Sequence, residues 1–441
     1  MYIDKTTLKD LSIIDGTNNI FQLINQCNTT AGSDALLQMI MKPNNNIQSV
    51  WNAQEHVKFW MQHLSEWPQN ISNGTLIMIE KFLESPHYGI HLPSDLTLRF
   101  SALINNIINK EQNNYPRFAI QQIHELLKGC SVVLAIYKSQ KSVPENAKQI
   151  IADFNNILDN PFLSKITTIN PDKEPITTLQ KYCYEIKRQH KHSIGILINT
   201  YAHLDALYAM ARTTLQYNWQ IPTMHPSEVQ CLSITDLHHP LLQNPVANTI
   251  NVHKSKSFIF LTGANMSGKS TFLRAVGIAA LLGHIGMGVP ARSCEMSFFH
   301  GLISNMKVED NIHLGESYFF AEVQRMKLTA QKIAGQPYNL ILMDEIFKGT
   351  NIHDAYECTL AVINGLLNRN NNLHLLSTHL YELHENLESI HGIQYYYFET
   401  TTDTQLDYTF TYQLKEGVSQ DRIGYIVLKK QGVLDILYNQ S

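Results

Sequence analysis

With 441 residues, 44% of them hydrophobic, the chain holds enough apolar material for about two to three packed domains, which excludes a disordered or low-complexity protein. Lys and Arg total 34 against 38 Asp and Glu, a formal charge of −4, and charged residues are only 16%; nucleic acid is therefore not bound through bulk charge, although a local basic face stays open. Six Cys without a CxxC pair, a polar Met1–Asp10 start and no apolar run of about eighteen residues exclude a disulfide framework, a signal peptide and a membrane span, and point to a cytoplasmic protein.

The first half reads as helices. Ile20–Met41 and Ile47–Trp60 carry apolar residues at mixed three- and four-residue spacings around a KPNNN turn, Lys42–Asn46. Leu98–Ile108, Phe118–Tyr137 and Asn146–Leu158 follow the same habit, separated by Pro116, Pro144 and Pro161. From Pro175 to Gln220 there is no internal proline, and Leu197, Tyr201, Leu204, Tyr208, Ala211 and Leu215 form a heptad-like seam. Unbroken, such a helix would extend on the order of 65–70 Å at about 1.5 Å per residue, more a strut than a core element. Pro222–Pro226 is the expected junction, which divides the chain into an all-α part, 1–221, and an α/β part, 222–441. Beyond the junction, the short apolar runs Ser257–Thr262, Leu340–Met343 and Leu373–Thr378 are each followed by a turn and a helical segment, the pattern of a parallel sheet with crossover helices. Ile393–Glu399 and Tyr408–Leu414 read as an antiparallel flank. Residues 1–225 hold 19 basic and 18 acidic side chains against 15 and 20 in the remainder, and the dense basic run is Lys187–His192.

The strongest chemical signal is Gly263–Ser270, GANMSGKS, which satisfies GxxxxGK[ST] between an apolar strand and a helix start. Gly263 and Gly268 let the backbone turn its N–H groups toward phosphate oxygens, and the helix N-terminus adds partial positive charge. Ala264, Asn265, Met266, Ser267 and Thr271 complete the candidate nucleotide-binding loop. Lys269 can reach the β- and γ-phosphates and Ser270 can place a hydroxyl on Mg²⁺. Asp344-Glu345 ends another apolar strand 75 residues beyond Lys269. There Asp344 suits Mg²⁺ and Glu345 suits polarising the attacking water. The strand Leu373–Thr378 leads to His379, either a sensor of the γ-phosphate or a structural histidine.

These blocks, in this order, resemble the MutS family of DNA mismatch-repair ATPases. TGANMSGKSTFLRAVG (Thr262–Gly277) is similar to the family's phosphate loop, Asn265-Met266 included. GVPA (Gly288–Ala291), GESYFFAEVQRM (Gly315–Met326), LILMDEIFKGTNIHD (Leu340–Asp354) and STHLYEL (Ser377–Leu383) resemble the blocks that follow, and KEGVSQDRIGYIVLKKQGV resembles the closing pattern. Upstream, Ile20–Pro43 resembles the start of the family's helical core and LDALYAMAR (Leu204–Arg212) the end of its lever helix.

The resemblance implies an ABC-type α/β P-loop ATPase domain preceded by an all-α core and lever, with ATP and Mg²⁺ as cofactors. It further implies a head-to-tail homodimer with composite ATP sites, in which Ser317 of the signature segment acts across the interface. The implied function is ATP-coupled recognition of mismatched or structured DNA in repair or recombination; the alternative is an ATP-gated protein-interaction switch that binds no DNA. Departures are visible. The core-like segment begins almost at residue 1, so the mismatch-reading and connector domains are not expected in this chain, and the clamp is expected to be short or absent. Phe82-Leu83-Glu84 matches the family's Phe-x-Glu only by coincidence. Phe347-Lys348 stands where the family has Gly-Arg, and Pro245-Val246 where many relatives stack an aromatic on adenine. Lys187, Arg188 and Lys191, on one face of the long helix, are either phosphate contacts or a solvated face.

Overall fold

The computed structural model describes residues 1–86, 110–306, 318–402, 408–419 and 436–437. The chain packs as two compact units: an α/β unit of residues 1–23, 39–51 and 214–441, and a helical unit of residues 24–38 and 52–213.

Eleven strands are described, all in the α/β unit: β1 (Tyr2–Ile3), β2 (Thr223–His225), β3 (Cys231–Leu237), β4 (Asn248–His253), β5 (Phe258–Thr262), β6 (Ser293–Ser297), β7 (Gly301–Asn305), β8 (Asn339–Asp344), β9 (Leu373–Ser377), β10 (Ile393–Thr402) and β11 (Tyr408–Glu416). The main sheet runs β1-β7-β8-β9-β5-β10-β11, parallel throughout except for antiparallel β11. Every residue of β5, β7, β8 and β9 is buried, which is why these strands read as continuous apolar runs rather than alternating ones. The second sheet, β2-β6-β3-β4, is not announced by the sequence pattern. Its strands alternate buried and exposed positions and are short.

The expected boundary at residue 221 is displaced, because the N-terminus belongs to the α/β unit. β1 adds to the sheet edge beside β7, and the Asp10 carboxylate accepts from Ser304 Oγ (2.5 Å) and Met306 N–H (3.2 Å) and pairs with Arg325. Lys332 pairs with Asp4 in the same way. These are long-range pairings that no local periodicity reveals.

Ile20–Met41 is two helices rather than one: Ile20–Ile24, mostly within the α/β unit, and Thr30–Met41, mostly within the helical unit. The Lys110–Ser139 helix carries Pro116 inside it, where the sequence suggested a break. Leu98–Ile108 lies outside the described residues. The long helix is present as Ile176–Glu185 and Lys191–Gln216, joined through a π-helical turn at Ile186–His190. It is no strut. Leu197, Tyr201, Leu204, Tyr208 and Ala211 are buried, and so are Ala206, Leu207 and Met210 on other faces, the mark of a core helix. Phe82 is 1% exposed within the Asn73–Glu84 helix, so the Phe-x-Glu match is a packing residue. No helix among the described residues is long and apolar enough to cross a membrane.

Candidate active site

The strand order places three C-terminal strand ends side by side: β8, β9 and β5. Ligands of open parallel sheets bind at such ends. From β5 the chain enters the Gly263–Ser270 loop and then the Lys269–His284 helix. Gly263 has φ +140°, and a Cβ there would stand 2.9 Å from Ser267 Oγ and 3.3 Å from Phe398. Gly268 has φ +111° and begins the helix. Both positions therefore demand glycine. Met266 has φ +70° and is 78% exposed, a strained apolar side chain facing solvent.

Lys269 is 4% exposed. Its Nζ donates to the carbonyls of Gly263 (2.8 Å) and Ala264 (3.0 Å) and lies 3.6 Å from Glu345 Oε1. Burial pulls its pKa below the ordinary lysine value, opposed by the charges of Glu345 and Asp344. Ser267 Oγ is buried with no hydrogen-bond partner among the described residues.

Asp344 is the last residue of β8 and pairs in register with Ser377 at the end of β9, whose hydroxyl donates to its Oδ1. Glu345 follows with φ +50°, its N–H donating to Ser377 O (2.9 Å). Its Oε2 is 2.9 Å from Lys348 Nζ. Burial works against the Glu345 charge, yet Lys348, Lys269 and His379 outweigh it and hold the carboxyl below its ordinary range. His379 is exposed at the β9 end. Thus Lys269, Asp344, Glu345 and His379 are brought together from three strands.

A cavity of about 600 Å³ opens beside this cluster. Lys269, Ser270, Asn265 and Glu345 are among the residues that line one part, and Pro245, Val246, Asn248, Phe272, Phe398 and Tyr412 are among those that line the rest. Pro245 and Val246 offer no ring, but Tyr412 of β11 does. The sequence reading missed Tyr412, Lys348, Ser377 and Glu322. Glu322 accepts from the N–H groups of Lys348 (3.1 Å) and Gly349 (3.0 Å) and so fixes the turn after Glu345. Glu322 and Lys348 stood in motif blocks; Tyr412 sat in an ordinary aromatic strand with no local signal.

Two expectations fare differently. Ser317 lies outside the described residues. The basic run is not one free face, because the π turn places Lys187 half-buried. Its Nζ donates to Ser85 O and to Ser85 Oγ (3.0 Å) and sits 5.2 Å from the centre of the Phe82 ring. Arg188 and Lys191 are exposed.

Residues 259–439 match the MutS domain V family. The whole chain is similar to the DNA mismatch repair protein MutS of Thermotoga maritima, 24% identical and covering 65% of that protein's length. Similarity to the MutS of Thermosipho melanesiensis is 23% over 99% of this chain and 63% of the relative. The DNA mismatch repair protein msh3 of Emericella nidulans is 29% identical over 53% of the chain and 22% of its own length. The chain thus spans just under two thirds of the bacterial relatives it matches.

Proposed function

Since this chain belongs to the MutS family, we propose that it is a cytoplasmic, Mg²⁺-dependent ATPase that couples ATP binding and hydrolysis to its hold on mismatched or structured DNA. The observation that carries the reading is the convergence of Lys269, Asp344 and Glu345 at adjacent strand ends beside a cavity of about 600 Å³.

The geometry supports the following roles. Lys269 now donates to carbonyls of its own loop, and phosphate oxygens are the better acceptors for a buried ammonium. The loop N–H groups add donors for the same oxygens. Mg²⁺ would be held by Ser270 and Asp344, and would supply charge neutralisation at the phosphates. Glu345, kept ionised by Lys348 and Lys269, accepts a hydrogen bond from the attacking water and so orients and polarises it. His379, exposed beside it, is a γ-phosphate contact. Tyr412 offers a ring for the base, in place of the aromatic lacking at Pro245-Val246.

The ATPase part is of the ABC type and works as a homodimer, Ser317 of one copy completing the pocket of the other, with the helical unit as core and lever. DNA contact falls to exposed Arg188 and Lys191, with Lys187 held against Ser85 and Phe82.

The test is a gel-shift panel of homoduplex, mismatched and four-way-junction DNA, with and without ATP, alongside Mg²⁺-dependent turnover. Salt-sensitive, ATP-modulated binding supports DNA coupling, because phosphate contacts release counterions. Turnover without DNA binding at any salt selects the protein-interaction switch instead. For the composite site, mixing a Lys269→Ala chain with a Ser317→Arg chain should restore partial activity; mixed dimers that stay inactive would contradict it.

A further inference from the structure

β10 and β11 pair in register at Phe398↔Leu414 and again at Thr400↔Phe410. Between these pairs β10 has the single residue Glu399, whereas β11 has Thr411, Tyr412 and Gln413. β11 therefore bulges, with Tyr412 at its middle and φ +56°. An aromatic residue in the left-handed region is strained and persists only where its surroundings hold it. Bulges re-aim a side chain, and this one sets the Tyr412 ring against the phosphate loop. Tyr412 Cδ1 lies 3.5 Å from where a Cβ on Gly268 would stand. The ring is 45% exposed toward the cavity, whereas Phe398 and Phe272, which also line it, are buried in an edge-to-face pair at 5.8 Å.

Two side chains hold the bulge: Thr411 within it, whose Oγ1 donates to Glu399 O (2.9 Å) and accepts from Gln413 N–H (3.2 Å), and Asn248 from the second sheet. Asn248 Nδ2 donates to Tyr412 O (3.0 Å) and to Val246 O (3.3 Å), while its Oδ1 accepts from Leu414 N–H (2.7 Å). One carboxamide thus satisfies backbone groups on both sides of the bulge and ties them to the loop carrying Pro245-Val246 on the cavity wall.

We propose that Asn248 is the positioning residue for the nucleoside end of the cavity, fixing the bulge that presents Tyr412 as a stacking face while making no contact with phosphate itself. This rests on the nucleotide-site reading above. Phosphates at Gly268–Ser270 leave the base to extend along the cavity, past the ring.

The experiment compares calorimetric affinities for ATP and for inorganic tripolyphosphate in the full chain. The variants are Asn248→Ala, Tyr412→Gly, which keeps the left-handed backbone without the ring, and the double variant. Asn248→Ala and Tyr412→Gly should each weaken ATP about tenfold, leave tripolyphosphate within about twofold, and combine without further loss. Unchanged ATP affinity in Asn248→Ala, equal weakening of both ligands, or additive effects in the double variant would overturn the proposal. A parent chain that binds neither ligand would instead defeat the nucleotide-site reading on which it stands.

Discussion

In the helical unit, the buried Asp205 carboxylate accepts from Asn28 N–H (3.0 Å), Asn28 Nδ2 (3.0 Å), Thr29 N–H (2.9 Å) and Thr29 Oγ1 (2.7 Å), so a polar group inside that unit is fully satisfied. In the α/β unit, Ser267 Oγ has no partner among the described residues and Lys269 bonds only its own loop and a neighbouring carboxylate. Buried polar atoms without a partner occur in both units, His56 Nε2 and Asn155 Oδ1 of the helical unit among them, whereas the backbone divides cleanly. Every described non-glycine residue with positive φ lies in the α/β unit, and Met266, Glu345, Phe347 and Tyr412 of that set surround the cavity or the turn beside it. A saturated carboxylate on a regular helix builds structure. Strained backbone beside groups that still want partners marks where a ligand belongs.

Substitutions can break this contrast. The largest expected effect is Lys269→Ala, which should weaken ATP binding by about 10²–10³-fold through loss of a buried charge pair. Calorimetry checks it, and unfolding by urea should change little. Next comes acid. His284 and His374 in the α/β unit are pushed down to about 3 by burial, from an ordinary 6.5. Below pH 6.5 the unfolded chain therefore binds protons that the folded chain refuses, so stability falls as pH falls through the window from 6.5 to about 3. By pH 5 the loss should be about 2 kcal/mol per histidine, read from urea midpoints at pH 7 and pH 5. Asp205→Ala should cost about 3 kcal/mol by orphaning four donors, while ATP affinity stays unchanged. Loss of ATP binding in that variant, with the fold intact, would erase the distinction between the two regions. Smallest is Met266→Gly, expected to stabilise by at most about 1 kcal/mol in thermal unfolding because glycine accepts φ +70° without strain.

How much of this the sequence carried depends on range. The phosphate loop, the Asp344-Glu345 strand end and the parallel strands were legible because strand, turn and helix start lie within a few residues of one another. The pairing of β1 with β7 was not, since a two-residue edge strand has no periodicity and its partner begins at Gly301. The π turn at Ile186–His190 changes the phase of an otherwise regular seam, and so spoiled the reading of Lys187 with Lys191 as one free face. Tyr412 was hidden for a similar reason: alternation along β11 gives no sign of a bulge set by a side chain 164 residues earlier.

The most direct test of the central claim, that this cluster hydrolyses ATP, is to measure ATP affinity and single-turnover hydrolysis in Glu345→Gln beside the parent chain. Glutamine keeps the size of the side chain but removes the charge that Lys348 and Lys269 hold in place. ATP affinity should stay within a few-fold of the parent while hydrolysis slows by about 10²–10³-fold. Hydrolysis at the parent rate in Glu345→Gln would contradict the claim.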